Sequence, residues 1–400
     1  MGDGSGAAAF QPLRILHVLR APVGGLFRHV CDLATGQRLA GHKVAVVCGE
    51  VPGDPVSQAR LRDLAAQCEL GVHVIPMNRM PGFGDLLNMA RMTARARAIR
   101  ADVIHGHGAK GGFYARMLPR FAGGVRVYTP HGGTLHFGRG TAQGVAFFGI
   151  ERLMRARTDG FIFESDFGLR TFIDKIGEPE AASTVIHNGV GDEEFAAVET
   201  ERDAADFVFV GELRKLKGVG TLIDAASLAG RRMHLRIVGA GAERATFEEM
   251  AGHAPSDVRI EFMGAMPARK AFALGRAVVM PSHHESLPYI ALEAIAAGRP
   301  LIATRVGGMA EIFGADADAL IAPGDPAALA DALCRMIDCR GDVAGQTARL
   351  KARVRAEFST WRMVDGVGGF YRALLDKKAS RAAHAGPRGA VARFHEGVPS

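Results

Sequence analysis

The most constraining feature of this chain is a repeated alternation between short apolar runs and longer helical patterns. Residues 14–19 and 43–48 are apolar runs, and helical patterns follow at 24–39 and 85–100. This order is typical of parallel strands joined by crossover helices. Further strands are predicted at 72–75, 102–105, 126–129 and 160–163. The first half therefore predicts an α/β domain with a doubly wound sheet.

The alternation stops near Asn188-Gly189 and then begins again. An Asn-Gly pair favours a turn, and the acidic segment 192–206 has the character of a linker. The second series of strands is predicted at 207–211, 234–239, 259–263, 277–280 and 300–304. At roughly 100–200 residues per domain, a chain of 400 residues has room for two domains. The sequence predicts a first Rossmann-like domain at 13–187 and a second at 188–358.

The two ends of the chain lack this pattern. Residues 1–12 are rich in Gly and Ala, and residues 376–400 are rich in Lys, Arg, Ala and Gly, so both ends are predicted to be disordered. The N-terminus has no signal-peptide pattern, and no apolar run approaches the length of a membrane span. Five scattered cysteines fit a reducing compartment. A cytoplasmic location is expected.

The strongest candidate site follows the predicted strand 277–280. There, Glu285 and Glu293 bracket a helix start, with Pro288 suited to its first turn. Backbone N–H groups near this start, including those of Ser286 and Leu287, could hold a phosphate. One carboxylate could then contact a sugar and the other a ribose. The alternative is a capped surface helix that carries two glutamates by chance.

Two further candidates also follow strand ends, where ligands bind in parallel α/β sheets. The loop that begins at Gly211 contains Arg214 and Lys217, which could neutralise a diphosphate, although this feature alone favours a basic surface loop. Gly24 and Gly25 follow the first strand and could let backbone amides approach a ligand. A simple tight turn is the alternative for these two glycines.

Histidines form the last group of candidates. His131 precedes two glycines after a strand, which places it to touch a ligand. His105 and His107 also follow a strand, but no third ligand has suitable spacing in the sequence, so no metal site is predicted. The pair His283-His284 lacks a third ligand for the same reason.

These motifs together resemble the retaining glycosyltransferases of family 4, which have the GT-B architecture of two Rossmann-like domains facing across a cleft. The resemblance runs from about residue 14 to residue 375. It includes Gly24-Gly25, the His131 loop and the loop that begins at Gly211. The segment from Glu285 to Glu293 continues it, and so does the later run from Val306 to Glu311.

The resemblance implies a role for each matching residue. Glu285 would contact the donor sugar, Glu293 the ribose, and Lys217 with a nearby arginine the leaving diphosphate. Gly25 would approach the diphosphate from the opposite domain, and His131 would reach the sugar or the reaction centre. The family pattern has Arg directly after the position of Gly211, where this chain has Glu212. Arg214 is the nearest substitute.

The resemblance also implies a reaction and a fold detail. The expected activity is retaining transfer of a hexose-type sugar from a UDP- or GDP-sugar, without a divalent metal or another cofactor. A C-terminal helix at about 360–375 would cross back and complete the first domain. The family favours acceptors in bacterial polysaccharide or glycolipid assembly. A nucleotide-sugar epimerase, a sugar phosphorylase, a non-catalytic sugar-binding protein and a transferase with a soluble small-molecule acceptor are the alternatives.

The charge distribution bears on the acceptor. Residues 1–188 carry 22 Lys and Arg against 15 Asp and Glu, whereas residues 189–400 carry 27 of each. Many of these basic residues cluster in sequence: Arg91, Arg95, Arg97, Arg100, Lys110, Arg116, Arg120 and Arg126. Residues 136–150 add Phe137, Phe147 and Phe148, which could form an apolar lip. Together they predict peripheral contact with an anionic membrane and a lipid-linked acceptor, with incidental surface charge as the alternative. No nucleic-acid partner is expected.

Overall fold

The first domain is a parallel sheet covered by helices on both faces. The computed structural model describes residues 11–51, 55–78, 82–121 and 123–384. The strands of this sheet are β1 (Arg14–Leu19), β2 (Lys43–Cys48), β3 (Val72–Val74), β4 (Val103–His107), β5 (Val125–Thr129), β6 (Gly160–Phe163) and β7 (Ala182–Val185). Their order is β3-β2-β1-β4-β5-β6-β7, and every neighbouring pair is parallel. The predicted doubly wound α/β sheet is confirmed.

The central strands are apolar because helices cover both of their faces. The helices of this domain are α1 (Gly24–Leu39), α2 (Pro55–Gln67), α3 (Gly84–Ile99), α4 (Gly108–Met117), α5 (Ala142–Arg155) and α6 (Asp166–Lys175). Local sequence fixes two of their starts. The side chains of Thr141 and Ser165 accept hydrogen bonds from the backbone N–H groups of Gly144 and Gly168, which caps α5 and α6.

The second domain repeats the plan with a smaller sheet. Its strands are β8 (Ala205–Val210), β9 (Met233–Val238), β10 (Val258–Gly264), β11 (Gly275–Met280) and β12 (Leu301–Ala303), in the parallel order β10-β9-β8-β11-β12. Its helices are α7 (Val219–Leu228), α8 (Arg244–Gly252), α9 (Ala268–Ala273), α10 (Tyr289–Ala296), α11 (Met309–Phe313), α12 (Pro326–Ile337) and α13 (Val343–Glu357). Two separate clusters of buried apolar residues fill its two faces.

The last helix, α14 (Thr360–His384), returns to the first domain. Its buried residues Met363, Val367 and Tyr371 join the same core as Ile15 and Val103 of the first sheet.

The helix also extends further than the sequence predicts. Disorder was expected from residue 376, and this prediction is wrong for 376–384, which are helical. Leu374 is buried and Lys378 donates a hydrogen bond to the carbonyl of Gly124, so packing against the first domain supports the added turns. The remaining predicted disorder, at 1–10 and 385–400, lies outside the described residues.

The two domains also touch beside the cleft. The backbone N–H groups of Asp166 and Phe167, at the start of α6, each donate to the Glu311 carboxylate at 2.9 Å. His187 Nε2 lies 2.9 Å from the same carboxylate. A helix N-terminus favours a negative charge, so Glu311 of the second domain is well placed to join it to the first. Over the described parts of the chain, no helix is both long enough and apolar enough to cross a bilayer.

Candidate active site

The second domain presents a lysine and a glutamate that contact each other. Lys217 Nζ donates to Glu285 Oε1 at 2.7 Å, and Ser282 Oγ donates to the same oxygen at 2.7 Å. Lys217 ends the 3-10 turn after β8, and Glu285 follows β11. The two loops meet because residue 218 is glycine. A Cβ there would lie 1.9 Å from the carbonyl oxygen of Pro281.

Arg214 has a different setting from Lys217. Its guanidinium is exposed and lies 3.4 Å from the carboxylate of Glu212, the residue that stands where the family pattern has arginine. The same turn borders an open cavity of about 330 Å³, whose lining residues are Arg214, Lys215, Leu216, Glu243, His283 and His284. Arg214 and Lys217 therefore lie on the same turn, but Arg214 contacts Glu212 whereas Lys217 contacts Glu285.

The helix α10 carries the second glutamate. It begins at Tyr289, directly after Pro288. Glu293 is buried and forms an ion pair with Arg28 of α1, across the domain boundary. Arg28 also contacts Asp32 at 3.1 Å and Glu194 at 2.9 Å. The predicted ribose-binding carboxylate is thus held by an arginine of the other domain.

Ser286 and Leu287 lie between the two glutamates. The Leu287 side chain is buried, and its carbonyl accepts from Asn188 Nδ2 at 2.8 Å. The Ser286 carbonyl accepts from the N–H of Gly308 at 2.6 Å, and its hydroxyl bonds Glu164 of the first domain. These contacts fix the loop that leads into α10, so its N–H groups are held in place for a ligand.

The predicted glycines separate into two kinds. Gly24 has φ +65° at the start of α1, and a Cβ on Gly25 would lie 3.6 Å from the Tyr289 ring, so this turn faces the second domain. Gly211 packs inside the second domain instead. A Cβ on Gly239 would lie 1.8 Å from the carbonyl oxygen of Gly211, so the glycine at position 239 lets the ends of β8 and β9 approach closely.

His131 sits on the first-domain side in a strained conformation, with φ +50°. Its Nδ1 lies 2.8 Å from Glu164 Oε2, and its Nε2 lies 3.0 Å from His107 Nδ1. Burial alone would raise the pKa of Glu164. The neighbouring His131 and the hydrogen bonds from His131 and Ser286 outweigh burial and hold that pKa below its usual value. Glu164 is a site residue that the sequence analysis missed.

A chain of histidines extends inward from His131. His107 Nε2 lies 3.0 Å from His17 Nδ1, and His17 Nε2 lies 2.8 Å from the side chain of Gln37. Burial lowers the pKa of His17 to about 4. Burial also lowers the pKa of His107 well below its usual value, and the neighbouring histidines add to this. Both imidazoles are therefore neutral near pH 7.

His29 of α1 lies beside the same group. Its ring centroid is 4.7 Å from that of His131, and its Nδ1 lies 2.9 Å from Asn188 Oδ1. Burial, together with the neighbouring His131, lowers the pKa of His29 to about 3.

The sequence spacing indicated no third ligand near His105 and His107, and in space this was wrong. One ring nitrogen from each of His29, His107 and His131 lies within 4.8 Å of the others, and His17, His105 and His107 form a second such group. A histidine in the middle of the apolar strand β1, namely His17, was the available signal.

The basic cluster predicted on the first domain is smaller at the surface than expected. Arg116 and Arg126 are buried, with 0% and 4% of their surface exposed. Arg116 pairs with Glu151 at 2.8 Å, and Arg120 pairs with Asp159 at 2.8 Å. Lys110 likewise contacts Asp85 at 2.7 Å. The arginines of α3 and the one directly after it are exposed: Arg91, Arg95, Arg97 and Arg100.

The predicted apolar lip is also rearranged. Phe148 is buried, while Phe137 and Phe147 stack with ring centroids 5.0 Å apart. Several exposed apolar side chains lie on α5 or at the start of α3, among them Val145, Leu153, Phe83, Leu86 and Leu87. Contacts from α4 to both helices, through Asp85 and Glu151, place α3, α4 and α5 side by side.

Comparison with known proteins gives matches over most of the chain. Residues 23–194 match the Glycosyltransferase Family 4 profile, and residues 204–339 match the Glycosyl transferases group 1 profile. Glycogen synthase of Mycobacterium tuberculosis is 29% identical over 373 residues, which cover 86% of this chain and 89% of that protein.

Solved structures show the same fold. Sucrose-phosphate synthase of Thermosynechococcus elongatus superposes with a TM-score of 0.73 at 20% identity, over 91% of this chain and 99% of that one. HepE of Anabaena, in complex with UDP and glucose, superposes with a TM-score of 0.72 at 19% identity, over 90% of this chain and 99% of that one.

Proposed function

This chain belongs to the family 4 and group 1 glycosyltransferases and has their GT-B fold, and from this premise we propose which sugar transfer it performs. The proposed reaction moves a hexose-type sugar from a UDP-sugar to an acceptor with retention of anomeric configuration. UDP is preferred over GDP as the donor nucleotide because the similar HepE structure is described with UDP and glucose.

The contact between Lys217 and Glu285 carries this proposal. Breaking the bond between the sugar and the diphosphate leaves negative charge on the phosphate and positive charge on the sugar. Lys217 can stabilise the first, and Glu285, 2.7 Å away, can offset the second. A single cation and a single anion side by side match the charge separation of this step. A non-catalytic sugar-binding protein has less need of a fixed cation at this point.

Retention is proposed to follow from departure and attack on the same face of the sugar. The acceptor hydroxyl would attack the anomeric carbon as the diphosphate leaves, and the leaving phosphate oxygen would take the hydroxyl proton. His131 is not assigned this proton, because its two ring nitrogens lie 2.8 Å from Glu164 and 3.0 Å from His107. In this scheme His131 bounds the sugar site and does not carry protons.

No divalent metal is proposed for the transfer step. Lys217 and Arg214 supply positive charge on the second-domain side of the candidate site. The backbone N–H groups at the starts of α1 and α10 can also face the diphosphate. Fixed donors of this kind can stabilise a leaving diphosphate without a bound ion. We therefore expect transfer to continue in excess EDTA.

The acceptor is proposed to be a lipid-linked or polysaccharide precursor in bacterial cell-surface glycan synthesis. The support is the layer of α3 and α5, where exposed Leu87 lies one helical turn before exposed Arg91, and Arg95 follows one turn later. Apolar side chains flanked by arginines suit the interface of an anionic leaflet. A peripheral position at the inner face of the cytoplasmic membrane follows. A soluble acceptor remains the second candidate.

The test of donor and reaction uses the purified protein. UDP-, GDP- and ADP-hexoses are first ranked by the rise in melting temperature, because a ligand that binds the folded state stabilises it. The preferred donor is then incubated with lipid-linked and soluble acceptors, with and without EDTA. NMR of the product reports the anomeric configuration. An inverted product, or loss of activity in EDTA restored by Mg²⁺, contradicts the mechanism, and donor epimerisation without acceptor would favour the epimerase.

A further inference from the structure

Three histidines of the first domain converge from separate parts of its chain. His29 lies on α1, His107 ends β4, and His131 follows β5. One ring nitrogen of each lies within 4.8 Å of the other two. The group sits beside the second domain, since the hydroxyl of Tyr289 lies 3.5 Å from His29 Nδ1. The transfer mechanism proposed above uses none of the three as a proton carrier.

The outer nitrogen of each ring already has a partner. His29 Nδ1 lies 2.9 Å from Asn188 Oδ1, and His131 Nδ1 lies 2.8 Å from Glu164 Oε2. His107 Nε2 lies 3.0 Å from His17 Nδ1. These contacts fix the orientation of all three rings. They do not use the second nitrogen of each ring, namely His29 Nε2, His107 Nδ1 and His131 Nε2.

These second nitrogens lie close together or have no other partner among the described residues. His107 Nδ1 and His131 Nε2 lie 3.0 Å apart. His29 is 2% exposed, and its Nε2 has no hydrogen-bond partner among the described residues. A buried polar atom without a partner is costly, so this nitrogen requires an explanation. A ligand that accepts a nitrogen lone pair would supply one.

We propose that His29, His107 and His131 bind one divalent transition-metal ion, with Zn²⁺ as the best fit. Zinc is commonly held by three histidines and a fourth ligand, with Zn–N distances of about 2.0–2.1 Å. Tetrahedral ligands at that distance are about 3.4 Å apart, so His107 and His131 need to separate only slightly from 3.0 Å. Neutral imidazole is the form that binds a metal ion, through the lone pair of one ring nitrogen.

The contact between Glu164 and His131 supports the assignment independently. A carboxylate on the outer nitrogen of a metal-binding histidine is a recurring arrangement, because it fixes the tautomer and raises the basicity of the inner nitrogen. The second histidine group is less suited to a metal. Both nitrogens of His105 are engaged, by Tyr371 at 2.6 Å and Thr129 at 2.9 Å.

The proposed ion has no part in the transfer step and does not depend on it. It would join α1, the end of β4 and the loop after β5, and would therefore stabilise the first domain on binding. Because binding is measured directly, this inference can fail while the proposed transferase reaction stands, and the reverse is also true.

The test is a metal titration of the full chain, without a histidine tag and freed of metal with a chelator. Co²⁺ added to the wild-type protein should give visible ligand-field absorption that saturates at one ion per chain and disappears when Zn²⁺ is added. His29→Gln and His131→Ala should abolish the signal. Glu164→Gln should weaken binding by roughly 10–100-fold, as expected for a partner behind the ligand.

Matched measurements separate a built site from chance binding. His253→Ala removes an exposed histidine at the end of α8 and should leave the titration unchanged. Circular dichroism and melting temperature verify that each variant is folded, and Zn²⁺ should raise the melting temperature of the wild type but not of His29→Gln. Absence of the cobalt signal, or a signal that survives His29→Gln and is lost on replacing His283 and His284, overturns the proposal.

Discussion

The two domains use their charged residues in different places. The first half of the chain holds the whole positive excess, yet the part of its cleft wall around His131 consists largely of buried neutral histidines. The second half is neutral overall, yet its wall carries Lys217 beside Glu285.

The net charge of a region therefore does not indicate where the charged pair of the candidate site, Lys217 and Glu285, lies. Arg116 and Arg126 count toward the positive excess but are enclosed in the first domain, where they contribute to packing. Lys217 lies in the half whose net charge is zero, but it contacts Glu285 at the candidate site. Position relative to the strand ends was the better guide, because parallel strands in each domain direct their carboxyl ends toward the ligand site.

Replacing Arg116 tests whether the first domain's arginines are structural. Arg116→Ala leaves Glu151 buried without its cation, so the free energy of unfolding should fall by about 3–5 kcal/mol. Urea unfolding followed by circular dichroism measures the change. Arg91→Ala, at an exposed position of α3, is the matched control and should change stability by less than about 0.5 kcal/mol. If both substitutions lower the free energy of unfolding equally, the structural role assigned to the buried Arg116 is wrong.

Replacing Lys217 tests whether the second domain supplies the charge for the leaving group. Lys217→Ala should lower kcat by roughly 10²–10³-fold, because a fixed donor at the developing charge is lost. Lys217→Arg, which keeps the charge, should retain more activity. Lys270→Ala removes an exposed lysine of α9 in the same domain and should behave as wild type. Wild-type kcat in Lys217→Ala would show that the diphosphate is stabilised elsewhere.

Replacing Glu293 tests the contribution of α10 to donor binding. Hydrogen bonds to charged groups contribute about 1.5–3 kcal/mol, so Glu293→Gln should weaken nucleotide-sugar binding by roughly 10–100-fold. Calorimetric titration with the preferred donor measures this. The kcat at saturating donor should change much less than in Lys217→Ala. A large fall in kcat with unchanged affinity would reverse the roles assigned to the two positions.

Replacing the arginines of α3 tests binding to an anionic membrane, for which the smallest effect is expected. Each basic residue near an anionic surface adds about 1 kcal/mol of attraction, so Arg91→Ser, Arg95→Ser and Arg97→Ser together should reduce flotation with anionic liposomes, most clearly at low salt. Replacing Arg231, Arg232 and Arg259 of the second domain by Ser provides a variant of equal charge change. No binding of the wild type at low salt would leave a soluble acceptor as the better explanation.

The fold was largely predictable because apolar periodicity reports burial directly. The strands β1 and β2 are buried over nearly their whole length, and their runs of apolar residues are visible without further information. The short strand β7, with few buried residues, gave no such signal and was missed. The loops after β8 and β11, which carry Lys217 and Glu285, could be located from the sequence because each is one continuous motif.

The histidine cluster was not predictable in the same way. His29 and His107 are far apart in sequence, and only the pairing of β1 with β4 and the packing of α1 bring their neighbourhoods together. The same holds for Glu164, which meets His131 through the adjacency of β5 and β6. Spacing rules detect ligands on one element, whereas this group is assembled from several elements by tertiary structure.

The contacts of Arg28 would affect how the enzyme binds its nucleotide-sugar donor. The one guanidinium contacts Asp32 of its own helix together with Glu194 and Glu293 of the other domain. A ribose hydroxyl that bonded Glu293 would compete with Arg28 for that carboxylate and weaken one of the ties between the domains. Donor binding and the freedom of the domains to move apart would then be thermodynamically linked, so that a more open enzyme binds the nucleotide better and the nucleotide favours a more open enzyme.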